Sequence, residues 1–324
     1  MAEQALPPLG RPDPRVFHGL GGVDRDPSVV CIGFFDGVHR GHQTIIRRAV
    51  RRGAELGVRS VVVTFDRHPL EVVNPGSMPK LLMTPARRAR SLAAQGPDLV
   101  VVVPFDDELR HWSADEFVDR VLVSPLQARE VVVGANFRYG HKAAGDVATL
   151  ADVGPAKGFT AVGVTLLALG DVVLSSTEIR AAVEAGQVED ARRMLGRPHF
   201  VDGVVVRGDQ RGAGLGFPTA NLQVDPRIAV PARGVYAGLF HPPDGATVPA
   251  VTSVGINPTF GGSELRVEAH LLDTDADLYG VAAALDFRHH LREERTYTVV
   301  DDLVAQMHLD RNQARRLLTV DRHG

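Results

Sequence analysis

The chain has 324 residues, 44% of them hydrophobic, with a formal net charge of -3 and a pI near 6.5. That length allows two domains with a core each, and the charge balance gives no global reason to expect DNA, RNA or an anionic membrane as a partner, so any anion must be held locally. One cysteine, Cys31, excludes an intrachain disulfide; with no apolar run of membrane-spanning length and a Pro-rich polar start unlike a signal peptide or anchor, a cytoplasmic protein is expected.

From Val29 to about Gly196 short β-branched runs alternate with helix-like stretches. "VVCIGF", "SVVVTF", "VVVPF", "EVVVGA" and "FTAVGVTLL" are almost continuously apolar, as strands buried on both faces of a parallel sheet should be. Between them "GHQTIIRRAVRRGAELG", "TPARRARSLAAQG" and "SADEFVDRVLVSP" have helical length and composition. This rhythm predicts a Rossmann-like, doubly wound α/β sheet over residues 1–196. After "RPHF" the rhythm changes: "FVDGVVVRG", "VYAGLF", "VPAVTSVGI", "LRVEAHLLD" and "VAAALDF" follow one another through Gly, Pro and Asp turns. A small antiparallel β-barrel over residues 197–324 is expected, because closure removes exposed edges. The tail "TVVDDLVAQMHLDRNQARRLL" is read as a C-terminal helix packed on that barrel.

The stretch "GFFDGVHRGH", Gly33 to His42, leaves the first strand and enters the first helix, where open α/β sheets bind ligands. Gly33 and Gly37 let backbone approach a ligand, and the helix start favours an anion. His39 and His42 can turn N–H donors toward one phosphate. That suits attack on the α-phosphate of ATP, where charge on the equatorial oxygens and the departing pyrophosphate needs stabilising. For a bare H-x-x-H, an ordinary histidine pair and a zinc site compete, but no cysteine pair or third ligand stands at the usual zinc spacing. "SSTEIR", Ser175 to Arg180, offers hydroxyls at a helix start and an arginine one turn in, or simply a capping box of Ser175 with Glu178.

"GFFDGVHRGH" resembles the G-x-F-D-G-x-H-x-G-H signature of the nucleotidyltransferases that make FAD. Three more stretches resemble that family in order. "TFDRHP" is similar to T-F-x-P-H-P, with His68 and Pro69 matching and Arg67 standing where proline is usual. "VVVGANFRYGHKAAGD" resembles V-G-x-x-F-x-F-G, and "SSTEIR" matches S-S-T-x-I-R. The resemblance implies phosphate or nucleotide contacts for Gly33, Phe35, Asp36, Gly37, Ser175, Ser176, Thr177 and Arg180. It implies flavin contacts for His68, Asn136 and Phe137, and a catalytic part for His39 and His42.

In the second half "GLGFPTANL" resembles the P-T-A-N signature of riboflavin kinases, and "RVEAHLLD" their segment with the acidic base. The resemblance implies Mg2+ near Thr219 and Asn221, ATP phosphates along Gly208, Arg211 and Gly216, flavin near Arg292, and Glu268 as the base for the 5'-hydroxyl of riboflavin. An alcohol holds its proton tightly, so a positioned base is useful there. Ala213 and Gly214 stand where many family members carry a basic or polar side chain. Over about Val16 to Leu318 the chain is thus similar to the bacterial bifunctional riboflavin kinase and FAD synthetase family. The expected substrates are riboflavin, FMN and ATP, with no nucleic-acid or membrane partner. A barrel that binds flavin without catalysis is the alternative. A nucleic-acid-binding barrel lacks the interleaved basic and aromatic residues it would need.

Overall fold

A computed structural model describes residues 13, 15–165, 167–170, 172–208, 214–244, 246–259, 262–274 and 278–323. The chain divides into two compact units, Arg11–Pro79 with Pro85–Ser176, and Lys80–Thr84 with Thr177–Gly324.

The first unit is built on a parallel sheet of six strands in the order β1-β4-β3-β2-β5-β6. These are β1 (Val16–His18), β2 (Ser28–Ile32), β3 (Arg59–Phe65), β4 (Leu99–Val103), β5 (Ala128–Gly134) and β6 (Thr160–Val164). The runs of β2 to β5 form its centre because they are covered on both faces, and Val30, Val63, Val101, Val131 and Val133 are wholly buried, whereas the edge strand β6 is partly exposed. Successive strands run outward from β2 to β3 to β4, after which the chain crosses back to place β5 on the other side of β2. The switch point therefore lies between β2 and β5, and the crevice beyond their carboxyl ends is where such a sheet takes a ligand. The first motif leaves β2 at that crevice and the Asn136 loop leaves β5 there.

Helix α1 (Arg40–Leu56) follows β2, α2 (Pro69–Val73) follows β3, and α3 (Pro85–Ala93) precedes β4. The stretch from Ser113 forms only a short α4 (Ala114–Phe117) that widens into a π-type turn over Val118–Val123. Helix α5 (Val147–Lys157) precedes β6. The run read as one strand through Leu167 stops at Val164, and Ala168–Leu169 and Val172–Val173 form a small hairpin, β7 and β8.

The second unit is a closed antiparallel barrel. Strands β9 (His199–Val206), β10 (Ala220–Val224), β11 (Gly234–His241), β12 (Val248–Thr259), β13 (Gly262–Leu271) and β14 (Ala282–Phe287) follow the ring β12-β13-β10-β9-β14-β11, which the β11–β12 pairing closes. A further strand, β15 (His289–Arg292), pairs with β11. Helix α6 (Ser176–Glu184) precedes α7 (Val188–Leu195), whose Val188 is wholly buried in the barrel core with Val201, Tyr236, Ala250 and Phe287. The excursion Lys80–Thr84 belongs here: Leu81 N donates to Arg227 O at 2.7 Å, and Thr84 Oγ1 donates to Asp202 at 3.0 Å. The C-terminal helix α8 (Val300–His323) buries Ala314 and Leu318 against Ala237 and Leu272.

Candidate functional sites

The first motif is a strained turn. Phe35 takes φ 56°, Gly37 φ 80° and Val38 φ 41°; a β-branched residue in that region is an outlier that the surroundings must hold in place. The hold is visible. Val38 O accepts from Gln43 Nε2 at 2.9 Å, Asp36 O accepts from Ser176 Oγ at 2.9 Å, and Gly33 N donates to Val63 O at 3.1 Å. Asp36 and His39 are buried.

His39 caps α1. Its Nδ1 accepts from His42 N at 3.4 Å, so the donor it can offer is Nε2–H. The two imidazoles stack with centroids 3.5 Å apart, and Phe35 meets His42 edge-on at 5.2 Å. A Cβ at Gly41 would lie 3.0 Å from His39 Cε1, which explains glycine between the histidines. Burial, and then the neighbouring His39, hold the His42 imidazolium well below the usual histidine range. His42 is thus a neutral donor at physiological pH. Its Nδ1 has no hydrogen-bond partner among the described residues.

His68 caps α2, accepting from Leu70 N at 3.1 Å, and meets the Phe34 ring edge-on at 4.8 Å. Arg67 is exposed and paired with Asp66 at 3.0 Å, so the non-proline residue serves a local ion pair. In the loop after β5 Asn136 is exposed, its Oδ1 only 3.2 Å from where a Gly134 Cβ would be, and Phe137 stacks on Tyr139 at 5.7 Å. Ser175 and Ser176 close this unit, while Thr177 and Arg180 fall in the second, where Arg180 Nε donates to Lys80 O.

In the barrel, Asn221 lies directly across from Glu268 in the β10–β13 ladder, with Ser253 on the other side of Glu268. Opposed residues share a face, so amide and carboxylate stand side by side. Glu268 is half-buried, and Arg266 Nη1 lies 3.7 Å from its Oε1. A Cβ at Gly208 would collide with the Asn221 amide, so only glycine lets this backbone lie against it. Gly216 has φ 82° and, with Pro218, His270, Asp273, Arg311 and Arg315, lines a cavity of about 410 Å³. Thr219 precedes β10 at half-burial. Phe217 is buried between His270 at 5.1 Å and His308 at 4.9 Å, anchoring the loop. Gly214 is exposed and a Cβ there would meet open space, and Arg211 and Ala213 lie outside the described residues.

Arg292 is engaged elsewhere than at an open cleft. Its Nε and Nη2 donate to buried Asp310 of α8, the latter at 2.8 Å, and Gln306 Nε2 joins them at 2.8 Å. This clamp between β15 and α8 escaped the sequence reading because nothing local in "LDRNQ" distinguishes Asp310 from a solvent-facing helix residue. Among the described residues there is no group of three or more His, Cys, Asp or Glu that could hold a metal ion.

Residues 23–178 match the FAD synthetase family and residues 195–318 the riboflavin kinase family. A bifunctional riboflavin kinase/FMN adenylyltransferase of Pseudomonas fluorescens is 38% identical over 91% of this chain and 94% of its own. The proteins of the same description from Escherichia coli K12 and Bacillus subtilis 168 are 34% and 33% identical, over 93% and 92% of this chain and 96% and 95% of theirs. A crystal structure described as a macrolide-efflux protein from Streptococcus pneumoniae superposes with a TM-score of 0.84 at 28% identity, over 93% of this chain and 99% of that one. No helix among the described residues is long and apolar enough to cross a membrane. With a parallel-sheet unit that carries the FAD synthetase match and a closed barrel that carries the riboflavin kinase match, the chain belongs to the bifunctional riboflavin kinase/FMN adenylyltransferase family.

Proposed function

We propose that the two reactions are carried by separate residue sets on either side of residues 196 and 197: the barrel phosphorylates riboflavin to FMN, and the parallel-sheet site joins FMN to the adenylyl group of a second ATP. The observation that carries this reading is the division of chemistry. A stacked pair of histidine donors ends β2, whereas the carboxylate stands opposite Asn221 in the barrel.

In the kinase step the 5'-hydroxyl of riboflavin attacks the γ-phosphorus, Glu268 takes the hydroxyl proton, and ADP leaves. Gly208 and Gly216 bring backbone to the phosphates, and the resemblance assigns Arg211 to the same phosphates. Mg2+ supplies charge neutralisation on those phosphates when bound. Thr219 and Asn221 fit an ion held mainly by nucleotide oxygens, since both offer neutral oxygens, and the Gly208 backbone lies close against the Asn221 amide. Arg292 serves the flavin end by clamping α8 to β15 through Asp310.

In the adenylyl step a phosphate oxygen of FMN attacks the α-phosphorus of ATP and the bond to pyrophosphate breaks. No base is needed, because the nucleophile is already an anion. His39 and His42 donate to the charge that gathers on the α-phosphate and leaving group. Gly33, Phe35, Asp36 and Gly37 shape the turn, and Ser175, Ser176, Thr177 and Arg180 take the outer phosphates. His68, Asn136 and Phe137 line the flavin end. A cytoplasmic place of action fits ATP as substrate and the buried Cys31. Incubating the pure protein with riboflavin and Mg-ATP and separating the flavins by chromatography should show FMN and then FAD; unchanged riboflavin would overturn the proposal.

Two expectations follow from the histidine turn. Gly41→Ala drives a methyl against His39 and should slow FAD formation from FMN by about tenfold or more, since small misplacements of catalytic donors are costly. The kinase rate should hold, and helix propensity favours alanine, so lost stability is not the expected cause. Equal loss in both reactions would contradict this.

The other concerns pH. His42 in the folded chain sits well below its ordinary 6.5, so below that pH the unfolded chain binds a proton the folded chain refuses. Stability is therefore fully present above about 6.5 and falls as the medium is acidified through that value. Denaturant midpoints at pH 8 and pH 5.5 should shift against the wild type relative to His42→Gln. Parallel shifts in the two proteins would remove the buried neutral histidine from the account.

A further inference from the structure

Among the described residues Arg88 is the largest fully buried side chain, and hydrophobic helix packing does not explain it. It rises from α3, which lies against the Asp36–Val38 turn. Its Nη2 donates to Phe65 O and, at 3.4 Å, to Asp66 O, the two carbonyls where β3 ends and the His68 loop begins. Its guanidinium carbon stands 4.0 Å from the centroid of the Phe34 ring. Phe34 fills the open position of the G-x-F-D-G motif, is half-buried, and meets His68 at 4.8 Å. Nε and Nη1 are buried and have no hydrogen-bond partner among the described residues.

A buried cation with two unsatisfied donors is costly, and an apolar side chain of similar volume would often serve folding as well or better. Burial pushes the Arg88 pKa down to about 10, with the Asp36 and Asp66 carboxylates opposing, so the group stays charged at neutral pH. One charge thus touches two of the loops that leave the sheet at its carboxyl edge, those after β2 and β3. Toward β2 it does so through a ring face, a desolvated cation–π contact. Toward β3 it does so through carbonyls that fix where His68 stands.

We propose that Arg88 is a positioning residue for FMN in the adenylyl step, its guanidinium locking Phe34 and the end of β3 into the Phe34–His68 wall against which the flavin end of FMN is held. The proposal rests on the assignment of the His68 loop to that end.

The test is steady-state FAD formation by the full chain, with FMN and ATP varied in turn and the riboflavin kinase rate as internal reference. Arg88→Met should raise the KM for FMN by about tenfold or more, as expected for a lost desolvated cation–π contact and two released loops. kcat, the KM for ATP and the kinase rate should stay within about threefold, a change too small to reflect a lost anchoring contact. Arg88→Lys, which keeps charge over the ring, should recover most of the loss. An unchanged KM for FMN, a fall in kcat alone, or no advantage of Arg88→Lys would each overturn the proposal. Should Arg88→Met fail to fold, Phe34→Leu decides, because it keeps the arginine and its carbonyl bonds: a raised KM for FMN supports the wall and an unchanged one overturns it. If His68→Ala and Arg88→Met together raise the KM for ATP and leave that for FMN alone, the loop assignment falls and the proposal with it; if only His68→Ala raises the KM for FMN, the proposal alone falls.

Discussion

Glu268→Gln should lower FMN formation from riboflavin by roughly a hundredfold to ten-thousandfold, the range for loss of a general base. The substitution keeps size and hydrogen bonding, so the register that sets residue 268 against Asn221 and Ser253 should persist. What disappears is the acceptor for the 5'-hydroxyl proton. Arg266 loses its ion-pair partner as well, but at 3.7 Å between partly exposed groups that pair contributes little to stability. FAD formation from supplied FMN should stay at the wild-type rate, measured by chromatography with circular dichroism as the fold control. A kinase rate within about twofold of wild type would leave no room for a general base of this strength.

His42→Ala should show the mirror image. Removing a preorganised neutral donor from a water-poor site costs on the order of a hundredfold or more in FAD formation. The stacked partner His39 loses its neighbour at 3.5 Å, but its cap acceptor contact is to the backbone N–H of residue 42, which alanine retains. FMN formation should be untouched, so riboflavin fed to this variant should accumulate as FMN. Full adenylylation activity in His42→Ala would exclude the histidine pair as the phosphate-charge donors.

The central strands of the parallel sheet were legible because burial on both faces leaves a continuous β-branched signature, and the barrel because turn residues punctuate short runs. The edge strand Val16–His18 was not, since three residues pairing on one side only with β4 carry no such pattern. "HHLR" has no strand signature of its own, yet forms β15, because pairing with β11 overrides its weak propensity. The compact barrel unit starts at Thr177, whereas the proposed catalytic division lies at 196 and 197, because Val188 of α7 completes the barrel core. The site showed the same contrast. Glycines and histidines of the first turn announce themselves by spacing, and their geometry supplies the reason in the positive φ of Gly37 and the crowding at Gly41. Arg88 in "TPARRARSL" is indistinguishable by sequence from its neighbours Arg87 and Arg90; only the sheet edge above it reveals that its charge lies between two loops.

The most direct test of two independent sites is to feed riboflavin and Mg-ATP to an equimolar mixture of the His42→Ala and Glu268→Gln proteins and to separate the flavins over time. Alone, the first should stop at FMN and the second should leave riboflavin unchanged. Together they should make FAD, the FMN released by one protein being adenylylated by the other. FMN that accumulates in the mixture without conversion to FAD, while wild type makes FAD under the same conditions, would contradict the division of the two chemistries between the histidine turn and the barrel carboxylate.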